Sequence, residues 1–234
     1  MPSLINLKDV HFAYPSRPSV LNGVDLSLSA GERLCLTGSN GAGKSTLFQI
    51  IVGLLHPTQG DVFAFGQSRK VEKDFHEVRR LAGLVFQDPD DQLFCPTVAE
   101  DIAFGPMNLG KSKEEAMAIV DTVLQQINMT KLKDRITHKL SGGEKRLVTL
   151  AAVLAMGPEV LLLDEPTNAV DEAGTERLVE ILNELPQAMI VISHDPHFRQ
   201  KIATRSLRLQ DGKLFDPTPK CDHAQTDMPE AIAV

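Results

Sequence analysis

The chain has 234 residues, 42% hydrophobic and 24% charged, an ordinary balance for a globular protein with a sizeable core. Lys and Arg number 24 against 31 Asp and Glu, a formal charge of −7, with no long basic run to grip a nucleic-acid backbone. No apolar run reaches membrane-spanning length and no charged-then-apolar leader follows Met1, so a soluble cytoplasmic chain is expected, with a membrane partner left open.

In chain order, "LINLKDVHFAY" and "VLNGVDLSLSAGERLCLTG" alternate apolar and polar residues with Gly breaks, the pattern of antiparallel strands. The pattern turns helical at Lys44, in "KSTLFQIIVGLL", and closes at His56-Pro57. "GDVFAFG" reads as a short strand, and "RLAGLVFQ" ends a more buried one. "TVAE" at Thr97 and "SKEE" at Ser112 are capping boxes, the second opening an amphipathic helix to about Ile127. "EKRLVTLAAVLAM" is helical and stops at Gly157-Pro158. "VLLLDEPT" and "AMIVISHD" are near-continuous apolar runs, the mark of strands buried on both faces, with a helix between them from about Glu172 to Leu185. "SLRLQDGKLF" reads as a hairpin turning at Asp211-Gly212. The expected architecture is α/β: one domain over residues 3–216, a mainly helical insertion at about 92–157, and a polar tail at 217–234. Cys35, Cys95 and Cys221 show no CxxC spacing and read as reduced thiols.

"GSNGAGKS", Gly38 to Ser45, fits GxxxxGK[ST] between a strand ending near Thr37 and a helix starting near Gly43. Backbone N–H groups of Gly38, Ser39, Asn40, Gly41, Ala42 and Gly43, continuing into Lys44, Ser45 and Thr46, would face phosphates at the helix N-terminus. Lys44 would reach the β- and γ-phosphates, and the Ser45 hydroxyl would hold Mg²⁺. "LLLDEP" places Asp164 at a buried strand's carboxyl end to hold Mg²⁺, and adjacent Glu165 where it could polarise an attacking water. His194 also stands at a strand's carboxyl end, where α/β ligand sites lie.

A second glycine pair follows in "LSGGEKR". Ser141 and Glu144 form a capping box, but capping alone does not ask for Gly142 and Gly143, each costing about 1 kcal/mol in a helix relative to Ala. Missing Cβ atoms are useful where a ligand must approach the backbone.

Five segments in order, "GSNGAGKS", "VFQD", "LSGGE", "LLLDEPT" and "ISHD", resemble the ATP-binding-cassette ATPases over Leu4 to about Phe215. The resemblance implies a P-loop, RecA-like core with an N-terminal antiparallel β subdomain and a helical insertion carrying the "LSGGE" signature. It implies ATP and Mg²⁺ as ligands, with Tyr14 stacking on adenine and Gln87 touching Mg²⁺ and sensing a membrane subunit. It also implies Glu165 as catalytic base and His194 as its bridge to the γ-phosphate. Two chains, identical or paralogous, would pair head to tail. Each ATP would then lie between one chain's Lys44 loop and the other's Ser141 to Glu144, with Asp171 at the contact. Glu144 stands where Gln is usual, and a carboxylate at a helix start still suits the dipole.

"QDPDDQLF", "TVAEDIAFG" and later "VLAM" resemble importers of the energy-coupling-factor type, whose ATPases drive a transmembrane coupling protein and a substrate-capture protein. That implies a peripheral place on the cytoplasmic face of the membrane and a cobalt, nickel or vitamin cargo. The short stretch after Phe215 favours a transition metal. Asp88, Asp90 and Asp91 beside Leu93 and Phe94 could line a groove for a basic coupling helix. A generic importer ATPase is the alternative. A non-transport cassette ATPase is disfavoured by the absence of tandem domains or a long coiled-coil insertion.

Overall fold

The computed structural model describes residues 3–15 and 18–217; most of the expected tail, with Cys221 and His223, lies outside them. In chain order come β1 (Ser3–Ala13), β2 (Ser19–Ser29), β3 (Arg33–Thr37), α1 (Lys44–Ile51), β4 (Gln59–Ala64) and β5 (Gln67–Arg69). Next are α2 (Glu72–Leu81), β6 (Ala82–Val85), α3 (Val98–Asn108), α4 (Lys113–Gln126) and α5 (Gly142–Leu154). The remainder is β7 (Val160–Asp164), α6 (Glu172–Glu184), β8 (Ala188–Ile192), α7 (Pro196–Ile202), β9 (Arg205–Gln210) and β10 (Lys213–Phe215).

Strands β1, β2, β4 and β5 form an antiparallel sheet in the order β2-β1-β4-β5. In β1 the buried set runs Ile5, Leu7, then Val10, Phe12. A register irregularity between Leu7 and Val10, with Asp9 at φ 48°, keeps both halves on one face despite the odd spacing. The second sheet runs β10-β9-β3-β8-β7-β6 and is parallel except for β10. "RLCLT" therefore departs from the antiparallel expectation: β3 lies between β8 and β9. Its Leu34, Cys35 and Leu36 are consecutive and all buried, which suits a strand covered on both faces.

β7 and β8 carry the same logic. Leu161, Leu163, Met189 and Val191 pack with the helices of residues 98–154 and with α6 and α7. Val160, Leu162, Ala188, Ile190 and Ile192 pack on the other face with α1, α2 and the antiparallel sheet. The parallel sheet is thus the wall between two apolar cores.

Local signals set most ends. Thr97, Ser112 and Ser141 each cap a helix with the reciprocal Glu three residues on. The β9–β10 turn has Asp211 at φ 51° and Gly212 at φ 74°, the type I′ geometry that Asp-Gly favours. Two boundaries differ from expectation. α1 ends at Ile51 because Gly53 turns to φ 73°, where an added Cβ would strike the Phe75 ring at 2.1 Å. Arg80 and Leu81 of "RLAGLVFQ" close α2, so β6 is only Ala82–Val85. Among the described residues, no helix is long and apolar enough to cross a membrane.

Candidate active site

The carboxyl ends of β3, β6, β7 and β8 deliver Gly38, Gln87, Asp164 and His194 to one edge of the sheet. An open cavity of about 910 Å³ lies there, lined by Ser39 to Thr46, Tyr14, Gln87, Asp164 and Glu165, among others. Glycine is required in the loop at two points. A Cβ on Gly38 (φ 147°) would lie 2.4 Å from the Leu209 carbonyl oxygen, and one on Gly43 (φ 105°) 2.7 Å from a Val20 methyl. Gly43 precedes α1 with no side-chain cap and no acid in the first turn, so the positive helix end faces an unobstructed cradle.

Lys44 is buried at the start of α1. Its ammonium donates to the carbonyls of Gly38 at 2.8 Å and Ser39 at 3.0 Å. Burial lowers its pKa, opposed by the charges of Glu165 and Asp164. Tyr14 sits at the cavity wall, its hydroxyl 3.1 Å from Thr46 Oγ1 and its ring edge-on to Phe12 at 4.9 Å.

Asp164 ends β7 and is buried, which raises its carboxyl pKa; a Ser45 hydrogen bond, Lys44 and Arg146 oppose that rise. Glu165 follows with φ 46°, a left-handed conformation that a non-glycine residue holds only when its surroundings impose it. Those surroundings are named: its N–H donates to Ile192 O at 3.0 Å and its carbonyl accepts from Asn168 N at 3.0 Å. The carboxylate meets His194 twice, accepting from its backbone N–H and lying 3.3 Å from Nε2. That same Nε2 is 3.3 Å from Lys44 Nζ. One ring nitrogen cannot serve both at once: protonated, it donates to Glu165; bare, it accepts from Lys44.

The Ser45 hydroxyl, the Asp164 carboxylate and the Gln87 amide border both this cavity and an adjoining one of about 510 Å³. They are hard oxygen donors, and no group of three or more His, Cys, Asp or Glu among the described residues could form an all-protein cage. That set fits Mg²⁺, which takes few protein ligands and completes its shell with water and phosphate.

Ser141, Gly142, Gly143, Glu144 and Asp171 do not line this cavity among the described residues. Ser141 and Glu144 cap α5 reciprocally, at 2.8 and 3.3 Å. Asp171 caps α6, accepting from Gly174 N at 2.9 Å. The glycine pair divides. A Cβ on Gly142 would press the Ala169 carbonyl at 3.3 Å, while one on Gly143 would make only ordinary contact with Val170 at 3.8 Å. Contacts within the chain therefore give no reason for the second glycine.

The family model described as "ABC transporter" matches residues 21–168. This chain belongs to the ABC transporter family. ATP hydrolysis coupled to transport comes with that membership. An ABC transporter ATP-binding protein of Brucella suis biovar 1, provisionally so named, is 52% identical over 92% of this chain and 89% of its own length. The energy-coupling factor transporter ATP-binding protein EcfA of Methanocaldococcus jannaschii is 42% identical over 93% of this chain and 80% of its own. Among solved structures, CbiO1 of Clostridium perfringens, part of the ABC transporter complex CbiONQ, superposes with a TM-score of 0.84 at 32% identity. It covers 92% of this chain and 88% of that one. The ABC ATPase is thus similar in sequence to an energy-coupling factor transporter ATP-binding protein and in structure to CbiO1.

Burial separates Leu93, Phe94 and Arg146 in this ABC ATPase. Leu93, expected in a docking groove, is only 7% exposed and packs in the helical core, so the groove loses that member. Phe94 beside it is 65% exposed and stacks edge-on with Phe104 at 4.8 Å. Arg146 closes "LSGGEKR" and is 3% exposed. Its guanidinium donates to the carbonyls of Phe86 at 2.8 Å and Gln87 at 2.6 Å. No local sequence signal marks it, because one basic residue at the polar end of an apolar helix reads as exposed until the chain packs.

Proposed function

We propose that this chain is the ATP-hydrolysing subunit of an energy-coupling-factor importer of cobalt or nickel, paired head to tail at the cytoplasmic face of the membrane. The observation that carries the hydrolytic half is the Lys44–His194–Glu165 cluster, with Nε2 of His194 at 3.3 Å from both an ammonium and a carboxylate. In this reading Glu165 takes a proton from the attacking water, and His194 holds the carboxylate toward the phosphate edge. Lys44 offsets charge that develops on the phosphoryl oxygens, and the loop N–H groups orient the nucleotide. Tyr14 offers the ring on which adenine stacks. Ser45, Asp164 and Gln87 would hold Mg²⁺, which when bound neutralises phosphate charge.

Pairing is supported by the position of Ser141 to Glu144 away from the chain's own cavity and by the ungrounded Gly143. Such a nest, with Asp171 nearby, suits a phosphate held by a second copy or a paralogue. Docking to a transmembrane coupling protein is supported by Phe94 and Phe104, edge-on to each other and each more than 40% exposed, with exposed acidic Asp88 and Asp91 a few residues before Phe94 in the chain. A basic amphipathic helix is the complementary partner. The cargo follows the resemblance of "QDPDDQLF" and "TVAEDIAFG"; a vitamin is the second reading of the same resemblance.

Two measurements test this. Glu165→Gln should still bind ATP and hold an ATP-dependent dimer, while hydrolysis falls about a hundredfold or more; turnover at the parental rate would remove Glu165 as the base. Vesicles containing the chain and its co-purified membrane partners should take up labelled cobalt or nickel with ATP. Uptake of a labelled vitamin alone would replace the metal cargo.

A further inference from the structure

We infer that Arg146 is a positioning residue that locks the strained segment Glu165–Ala169, and with it the Glu165 carboxylate, to the loop carrying Gln87. The inference rests on Glu165 being the base, as proposed above.

Three observations converge on it. First, one guanidinium reaches both segments: it donates to Phe86 O and Gln87 O on one side and, at a longer 3.4 Å, to Asn168 O on the other. Second, the segment it reaches holds two non-glycine residues in the left-handed region, Glu165 at φ 46° and Ala169 at φ 58°. Such conformations cost free energy and persist only where neighbours over-determine them. Asn168 is the relay, because its N–H donates to Glu165 O at 3.0 Å while its carbonyl accepts from Arg146. Third, the same helix runs close to the segment again one turn earlier, where a Cβ on Gly142 would come within 3.3 Å of the Ala169 carbonyl oxygen.

The fork matters more than the charge. All three acceptors are uncharged carbonyls, two on one loop and the third on another. A planar guanidinium spans them from a single buried position. A lysine ammonium is a point donor on a flexible stem and cannot reproduce the fork. If Arg146 only balanced the nearby charges of Asp88 and Asp164, lysine would substitute well.

The test is Arg146→Lys in the full chain. Single-turnover hydrolysis should fall by about thirtyfold, as expected for a base displaced by a fraction of an ångström, while ATP affinity changes by less than about threefold. Amide hydrogen exchange gives a readout independent of activity. Residues 165–170 should exchange faster, with Val160–Leu163 of β7 still protected. Parental turnover in Arg146→Lys would overturn the inference in favour of a charge role. Equal losses of ATP affinity and turnover, or unchanged exchange at 165–170, would also overturn it. Should Arg146→Lys fail to fold, Arg146→Gln carries the same measurements; loss of folding in both would make Arg146 a stability residue and overturn the inference. Failure of the Glu165 reading is distinguishable, since Glu165→Gln would then turn over normally whatever exchange shows.

Discussion

Asp101 should be worth several kilocalories per mole to this fold without touching the nucleotide site. It is 5% exposed, in the first turn of α3. One carboxylate oxygen accepts from Phe94 N at 3.0 Å and Cys95 N at 2.9 Å; the other accepts from the Thr137 hydroxyl at 2.8 Å. It thereby ties the loop bearing the exposed Phe94 to the turn just ahead of Ser141. Asp101→Ala leaves three donors without their acceptor, and each buried orphan costs about 1–3 kcal/mol. Water entering the vacated space recovers part of that, so the expected loss is near the low end, about 3–4 kcal/mol. Asp101→Asn should lose less than about 1 kcal/mol, because its amide oxygen still accepts from both N–H groups and its NH₂ can donate to Thr137. Urea unfolding reads both, as a lowered midpoint at unchanged slope. An alanine variant within about 1 kcal/mol of the parent would refute the staple. An asparagine variant as unstable as alanine would show that charge, not hydrogen bonding, matters there.

The shared-site reading predicts complementation between Lys44→Ala and Gly143→Asp, each inactive alone; Gly143 is the cleaner choice because its Cβ has room within the chain. Random pairing of equal amounts makes half the dimers mixed with one sound site each, so single-turnover hydrolysis should recover to about a quarter of the parental value. Mixtures as dead as the separate variants, despite demonstrated pairing, would end that reading. Phe94→Ser should leave stability nearly intact and weaken capture by the membrane partner in a pull-down. Leu93→Ser should instead cost about 2–4 kcal/mol, as a buried leucine does; equal behaviour of the two would contradict their different burial. Hydrogen bonding from Ser141 N lowers the Glu144 pKa below its ordinary 4.5. Its share of stability is therefore present above that ordinary value and lost as pH falls through the folded one. Glu144→Gln should flatten the acid limb of a stability–pH curve below about pH 4.5, and superimposable limbs would remove the effect.

Much of this molecule is written in runs of four to nine residues. The glycine-rich loop of residues 38–45, the three capping boxes, the Asp-Gly hairpin and the doubly buried β7 and β8 are legible because each signal and its consequence lie within a turn or a strand. α7 was legible in principle as well: Asp195 before Pro196 is a helix-start signal, and its carboxylate accepts from His197 N and Phe198 N. Other features depend on partners far along the chain. Gly38 is glycine because of the Leu209 carbonyl, and Leu93 is core because it joins the apolar cluster that the helices build on one face of the parallel sheet. The His194 ring meets Glu165 only because β8 pairs beside β7. "RLCLT" looked like its antiparallel predecessors, and its sheet was chosen by pairing with β8 and β9. Arg146 reads as one more surface base until packing buries it against carbonyls from two distant loops. Short-range hydrogen bonds and chain stereochemistry operate on the local sequence alone. Burial, strand neighbours and the convergence of Lys44, Glu165 and His194 are properties of the packed chain, so only the tertiary structure could decide them.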